Sequence, residues 1–176
     1  TIPPVTVENI TLTPGKHTII PLETPQGDLE IKMNSKIKYQ YIVRPAGIDT
    51  TLNVQEINEI EKYLIGRYDI EILTLPRKKF SDVEVSQSTK TTYTIPTPGL
   101  ANILLPSKGY GGLYVENGDE LEQVYHFKGN KTQHRLTLLP GKYRVVFRAK
   151  SAKNHIYTIE KSFKLRSGQS ELIKIY

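Results

Sequence analysis

Four histidines, His17, His126, His134 and His155, are the first residues that could do chemistry. A neutral imidazole ligates metals and moves protons near pH 7. A zinc site on one element needs a close pair such as His-x-His or His-x-x-x-His, and the sequence contains neither. Each histidine lies among polar residues and reads as an ordinary surface residue. A hairpin turned near Gly129-Asn130 would bring His126 and His134 together, but a metal there would still need further ligands.

Carboxylates gather at Glu56, Glu59 and Glu61 and again at Asp119, Glu120 and Glu122. Acid–base catalysis needs two carboxyls held around a cleft with displaced pKa values, and clustering in sequence supplies neither. Asn117-Gly118-Asp119-Glu120 reads as a hairpin turn. It lacks the ligand spacing of a calcium loop. No Gly-x-Ser-x-Gly elbow, phosphate loop or dinucleotide fingerprint occurs. Cysteine is absent, which excludes disulfides and thiolate metal sites. Asn9-Ile10-Thr11 and Asn130-Lys131-Thr132 match the glycosylation pattern, and both are read as chance matches. The residues therefore point to a protein that is not an enzyme, with no cofactor and no metal.

Tyrosine is the most suggestive residue type, with 11 copies and no tryptophan. Exposed aromatic rings stack on sugars and bases. Lys108-Gly109-Tyr110-Gly111-Gly112, followed by Tyr114, is the best candidate for an exposed contact loop, with Lys108, Tyr110 and Tyr114 as its contact residues. Most other tyrosines read as core and corner residues.

The elements that must position these side chains are strands. Apolar residues recur with period two, the strand period. Ile37, Tyr39, Tyr41 and Val43 fall on one face; so do Tyr68, Ile70 and Ile72; so do Tyr143, Val145 and Phe147, with Arg144 and Arg148 opposite. Turn signals punctuate the chain at Pro14-Gly15, Pro25-Gln26-Gly27, Pro98-Gly99, Tyr110-Gly111-Gly112, Asn117-Gly118-Asp119, Lys128-Gly129-Asn130 and Ser167-Gly168. One segment competes: propensity over 54–64 suits a helix. Its counterpart later in the chain reads as a strand, which favours a turn near Ile57-Asn58 followed by a strand.

That counterpart belongs to an internal repeat. Leu64-Ile65-Gly66-Arg67-Tyr68 matches Leu139-Pro140-Gly141-Lys142-Tyr143, and alternating runs follow both. Charge is not shared, since Asp69 stands where the later copy has Arg144. A third partial copy opens the chain: Ile10 to Ile20 matches Phe163 to Ile173. The expected organisation is an opening hairpin over 1–21 that ends a preceding element, then modules over 22–96 and 97–176. Pro96 and Pro98 would restrict the hinge between them. The chain begins with Thr and reads as a mature form or a piece of a longer protein.

Several stretches carry a family resemblance: Leu139 to Tyr176 with its LPGKYRVVFRAK phrase, Lys62 to Pro76, Thr24 to Leu29, Tyr41 to Arg44 and Thr51 to Gln55. They resemble prealbumin-like modules, also called carboxypeptidase regulatory-like domains. More narrowly, they are similar to the region after the von Willebrand factor A domain in Bacteroidetes-type bacterial proteins. The Asp-x-Ser-x-Ser metal pattern of that A domain is absent here, so no site residue is carried over.

The resemblance implies an all-β chain of two tandem antiparallel β-sandwich modules, prealbumin-like or immunoglobulin-like. It implies a non-catalytic structural or interaction module of a bacterial envelope or secreted protein, positioning a von Willebrand factor A-like domain. The alternative is a glycan-binding module using exposed tyrosines. The expected partner is a protein or envelope component. A nucleic acid is not expected: the net charge is +6, but 24 basic residues are interspersed with 18 acidic ones. No apolar run approaches the roughly 20 residues that span a bilayer.

Overall fold

The computed structural model describes residues 2–153 and 157–176. The regular elements among them are fourteen strands, and no helix is long and apolar enough to cross a membrane. The chain divides into two compact units. One comprises Thr1–Met33, Lys38–Ile72 and Lys79–Ile95; the other comprises Asn34–Ile37, Leu73–Lys78 and Pro96–Tyr176.

The strands of the first sandwich are β1 (Gln26–Met33), β2 (Gln40–Pro45), β3 (Asn53–Glu56), β4 (Ile60–Leu64), β5 (Gly66–Ile72), β6 (Lys78–Val85) and β7 (Lys90–Ile95). They form two sheets, ordered β4-β1-β7 and β3-β2-β5-β6. The second sandwich contains β8 (Gly99–Leu104), β9 (Gly109–Asn117), β10 (Glu120–His126), β11 (Gln133–Leu138), β12 (Gly141–Ala149), β13 (Thr158–Leu165) and β14 (Ser170–Lys174). Its sheets are β11-β8-β14 and β10-β9-β12-β13. The order is the same strand for strand, so the protein is two tandem β-sandwiches. Most pairs are antiparallel; in each sandwich the last strand runs parallel to the first, β7 beside β1 and β14 beside β8.

Period-two alternation builds each core. Leu29, Ile31, Tyr41, Val43, Ile70, Ile72, Val83 and Val85 are buried in the first unit. Ile103, Leu113, Leu138, Val145, Phe147 and Ile173 are buried in the second.

The repeated Gly-x-Tyr phrase has one physical role in both copies. The Tyr68 hydroxyl donates to the Leu64 carbonyl at 2.7 Å, and the Tyr143 hydroxyl donates to the Leu139 carbonyl at 2.6 Å. Each ring folds back over the glycine two residues earlier, where an added Cβ would sit 3.7 Å from Tyr68 and 3.4 Å from Tyr143. This is a tyrosine corner: the hydroxyl satisfies a carbonyl at the strand entry while the ring enters the core.

The segment over 54–64 is a turn flanked by strands. Asn58 adopts φ 70° and closes the end of β1, with Oδ1 accepting from the Met33 amide and Nδ2 donating to the Met33 carbonyl. A helix would break that bidentate clasp.

Some expectations are corrected. Of the opening hairpin over 1–21, the described part has its turn, where the Lys16 amide donates to the Thr13 carbonyl, but no strand ladder. Ile37 is exposed and precedes β2, which begins at Gln40. Three glycine-bearing stretches expected as turns lie in strands: Gln26-Gly27 opens β1, Gly99 opens β8 and Tyr110-Gly111-Gly112 lies in β9. These glycines serve close approach. A Cβ on Gly99 would lie 2.7 Å from the Gln169 carbonyl oxygen, and one on Gly109 would lie 2.6 Å from the Phe147 ring.

Candidate functional site

The residues expected as an exposed contact loop lie almost wholly in β9. Lys108 precedes the strand and is exposed; Tyr110 and Tyr114 lie within it, Tyr114 paired with both β10 and β12 and Tyr110 with β12. The stretch is a strand because its glycines admit β12 closely: the Phe147 ring packs where a side chain on Gly109 would stand, and the Val146 carbonyl where one on Gly111 would stand.

Both tyrosines point away from the core. Gly109, Leu113 and Val115 are buried, whereas Tyr110 is 52% exposed and Tyr114 is half-buried. The register places Tyr110 opposite Arg148 and Tyr114 opposite Arg144 on one side, with Gln123 of β10 opposite Tyr114 on the other. Between the two tyrosines Gly112 is covered by the Gln123 side chain, and His126 lies opposite it on β10. The outer face of this sheet therefore carries two aromatic rings beside two guanidinium groups.

Next to Tyr114 the face is tied down by charge. Arg144 Nε donates to Glu116 at 2.9 Å, Ser162 Oγ donates to the same carboxylate oxygen at 2.8 Å, and Arg144 Nη1 reaches Glu160 at 3.4 Å. The Ser162 and Arg144 bonds hold the Glu116 carboxyl below the usual carboxylate range. Such a network orients side chains rather than poising one as an acid or base.

The histidines separate. His17 is exposed, and His155 lies outside the described residues. His126 and His134 are not hairpin neighbours, because β10 and β11 belong to different sheets. His134 is not a surface residue: it is 4% exposed, on the inward face of β11 with Leu136 and Leu138. Its ring packs 4.8 Å from Phe127 and 5.8 Å from Tyr125. Burial pushes its pKa down, so the neutral ring acts as an aromatic core residue. It lines an open depression of about 470 Å³ with Tyr125, Lys128, Lys131, Gln133 and Arg135. Among the described residues, no three His, Cys, Asp or Glu side chains gather as a metal site.

In the first unit several polar groups have displaced pKa values, each set by its own surroundings. Asn53 Nδ2 donates to the Tyr63 hydroxyl, and that hydroxyl donates to Gln55 Oε1, both at 2.9 Å. Burial pushes Tyr63 up to about 12 and raises Tyr41 further. Asp69 accepts the Gly47 and Asp82 amides, which hold its carboxyl low. Glu30 is held low by Lys90, with Lys32 also near. The sequence did not mark these groups as a site, because the partners that displace them, such as Gly47 and Asp82 for Asp69 and Lys90 for Glu30, lie far along the chain.

No family model matches the chain, and no curated protein matches it. Solved structures resemble it, among them the following two. "The Bacillus anthracis TIE protein" is 15% identical with a TM-score of 0.34, over 86% of this chain and 33% of that one. "Structure of the Streptococcal ancillary pilin" is 10% identical with a TM-score of 0.39, over 87% of this chain and 62% of that one. The chain thus spans a minor part of the first and under two thirds of the second.

Proposed function

We propose that this chain is a non-catalytic structural and interaction module of a larger bacterial envelope protein. Its tandem sandwiches act as a spacer that holds a neighbouring domain, of the von Willebrand factor A kind, at a set distance. The observation that carries the reading is the repeated build: the same seven-strand unit occurs twice, closed each time by a tyrosine corner. The ionisable groups with displaced pKa values bond within their own units, as structural networks do.

A spacer must resist bending, and Pro96 and Pro98 are the residues that would limit the hinge. Residual dipolar couplings on the full chain test this. The expected result is one shared alignment for both units, lost when Pro96 and Pro98 become Gly. Independent alignment of the units in the unaltered chain would sink the spacer reading.

The second reading, a glycan-binding module, is favoured by one observation: Tyr110 and Tyr114 share the outer face of β9 beside Arg148 and Arg144. Rings beside polar groups stack on sugar faces. Calorimetry against a panel of envelope polysaccharides separates the two. Binding lost on Tyr110→Ala and Tyr114→Ala supports the glycan reading, and hydrolysis of any panel member overturns both.

A further inference from the structure

The opening segment repeats, position by position, the stretch that completes the first sandwich. The Ile2 carbonyl accepts the Leu64 amide at 2.8 Å, and the Leu75 carbonyl accepts the Leu139 amide at 2.8 Å. Leu64 and Leu139 are the two carbonyl partners of the tyrosine corners. Moving along from Ile2 and Leu75 in step, Asn9 at φ 60° meets Asp82 at φ 59°, and Gly15 at φ 74° meets Ser88 at φ 55°. The turns agree too: Lys16 N donates to Thr13 O, and Thr89 N donates to Ser86 O.

The inward positions of the completing strands are Val83, Val85 and Ile95, each 1–2% exposed, together with half-buried Tyr93. In step with them stand Ile10, Leu12, Leu22 and Ile20. All four are apolar, and they are 45, 76, 55 and 39% exposed. The β13–β14 pair repeats the inward pattern with Phe163, Leu165, Ile173 and Ile175 around Gly168 at φ 68°.

Even the proline fits. Thr89 O faces β1, where it accepts the Asp28 amide. By strand alternation Thr94 faces away from the ladder. Pro21 stands in step with Thr94, a position on an edge strand where the missing N–H is harmless.

We propose that residues 2–22 are the closing loop and terminal strand pair of a third β-sandwich unit of the same class, carried ahead of this chain on the same polypeptide. Ile10, Leu12, Ile20 and Leu22 fill that unit's core, and the second strand pairs parallel with its first strand. The occupant is a unit short of its own terminal pair, because both sandwiches here already hold theirs. In both, that pair directly follows the unit's other strands, and in the first it directly precedes the next unit. The proposal stands whether the units act as spacers or bind glycans.

The test is amide exchange on the natural polypeptide that includes the residues ahead of Thr1, compared with the 176-residue chain. The ladder-facing amides over 10–13 and those of Thr18, Ile20 and Leu22 are expected to gain at least about 100-fold protection in the longer chain, and Leu12→Ser with Ile20→Ser should abolish it. Unchanged protection, or a parent protein with no such unit ahead, overturns the proposal. A graft checks it independently: residues 80–95 of the full chain are replaced by the sequence of 7–22. First-unit amides are expected to stay protected, and to lose protection when the grafted Leu12 and Ile20 are serine. A graft indifferent to those serines counts against the proposal.

Discussion

Replacing the corner tyrosines by phenylalanine removes one hydrogen bond and leaves the ring in place. A typical intramolecular bond contributes about 0.5–1.5 kcal/mol net, and orphaning a buried acceptor raises the cost to about 1–3 kcal/mol. Tyr143 is fully buried, and so is its bond to the Leu139 carbonyl. Tyr68 is 4% exposed and its bond is only partly buried, so solvent can replace the lost donor to Leu64. Tyr143→Phe should therefore cost about 2 kcal/mol and Tyr68→Phe about 1 kcal/mol. For domains of this size 1 kcal/mol corresponds to about 4–8 °C in Tm. Two units need not melt as one transition, so each is followed by its own backbone amides in a urea series. Tyr143→Phe should lower the midpoint of second-unit amides and leave those of the first unit alone. Tyr68→Phe should do the reverse, by less. An unchanged Tyr143→Phe midpoint, or a larger effect for Tyr68→Phe, would refute the corner as a stabilising device.

Asn58→Ala loses both bonds to Met33 and places a Cβ-bearing residue without a polar partner at φ 70°; a loss of about 1–3 kcal/mol in first-unit stability is expected by urea titration. Gly109→Ala drives a methyl group against the Phe147 ring and the Arg148 carbonyl; it should cost about 1–3 kcal/mol, whereas Gly118→Ala has open space but sits at φ 63° and should cost about 1 kcal/mol in backbone strain alone. The Asp69 carboxyl is held low by two backbone amides in the folded state. The stability it contributes is present above the unfolded carboxylate pKa and should fade as acid takes the pH below about 5; Asp69→Asn should flatten that slope in thermal melts. Tyr63 is shifted the other way, up to about 12. Its contribution is full below the ordinary phenol pKa and should decline above about pH 10, with phenolate absorbance rising together with unfolding; ionisation ahead of unfolding would count against its burial.

Much of the architecture was legible in the chain. Tyr68, Ile70 and Ile72, like Tyr143, Val145 and Phe147, alternate with polar residues, and all six are buried. The repeat also favoured strand over helix within 54–64, because β4 has a strand-forming counterpart in β11. The candidate site was less legible. Tyr110 and Tyr114 do share an outward face, yet their surroundings come from Arg144, Arg148 and Gln123 on neighbouring strands.

Local alternation and the repeated Gly-x-Tyr phrase alone determined that this protein is strands built twice over. A period-two pattern and a corner are written within a few residues of one another. Only the tertiary structure decided whether a glycine turns the chain or admits a neighbour. It set Gly118 in an open turn and pressed Gly109 against Phe147. It likewise turned His134 inward among aromatic rings and left Ile10, Leu12, Ile20 and Leu22 uncovered. The physical reason is common to all three: burial belongs to whichever strand packs opposite, and that strand lies far away in the chain.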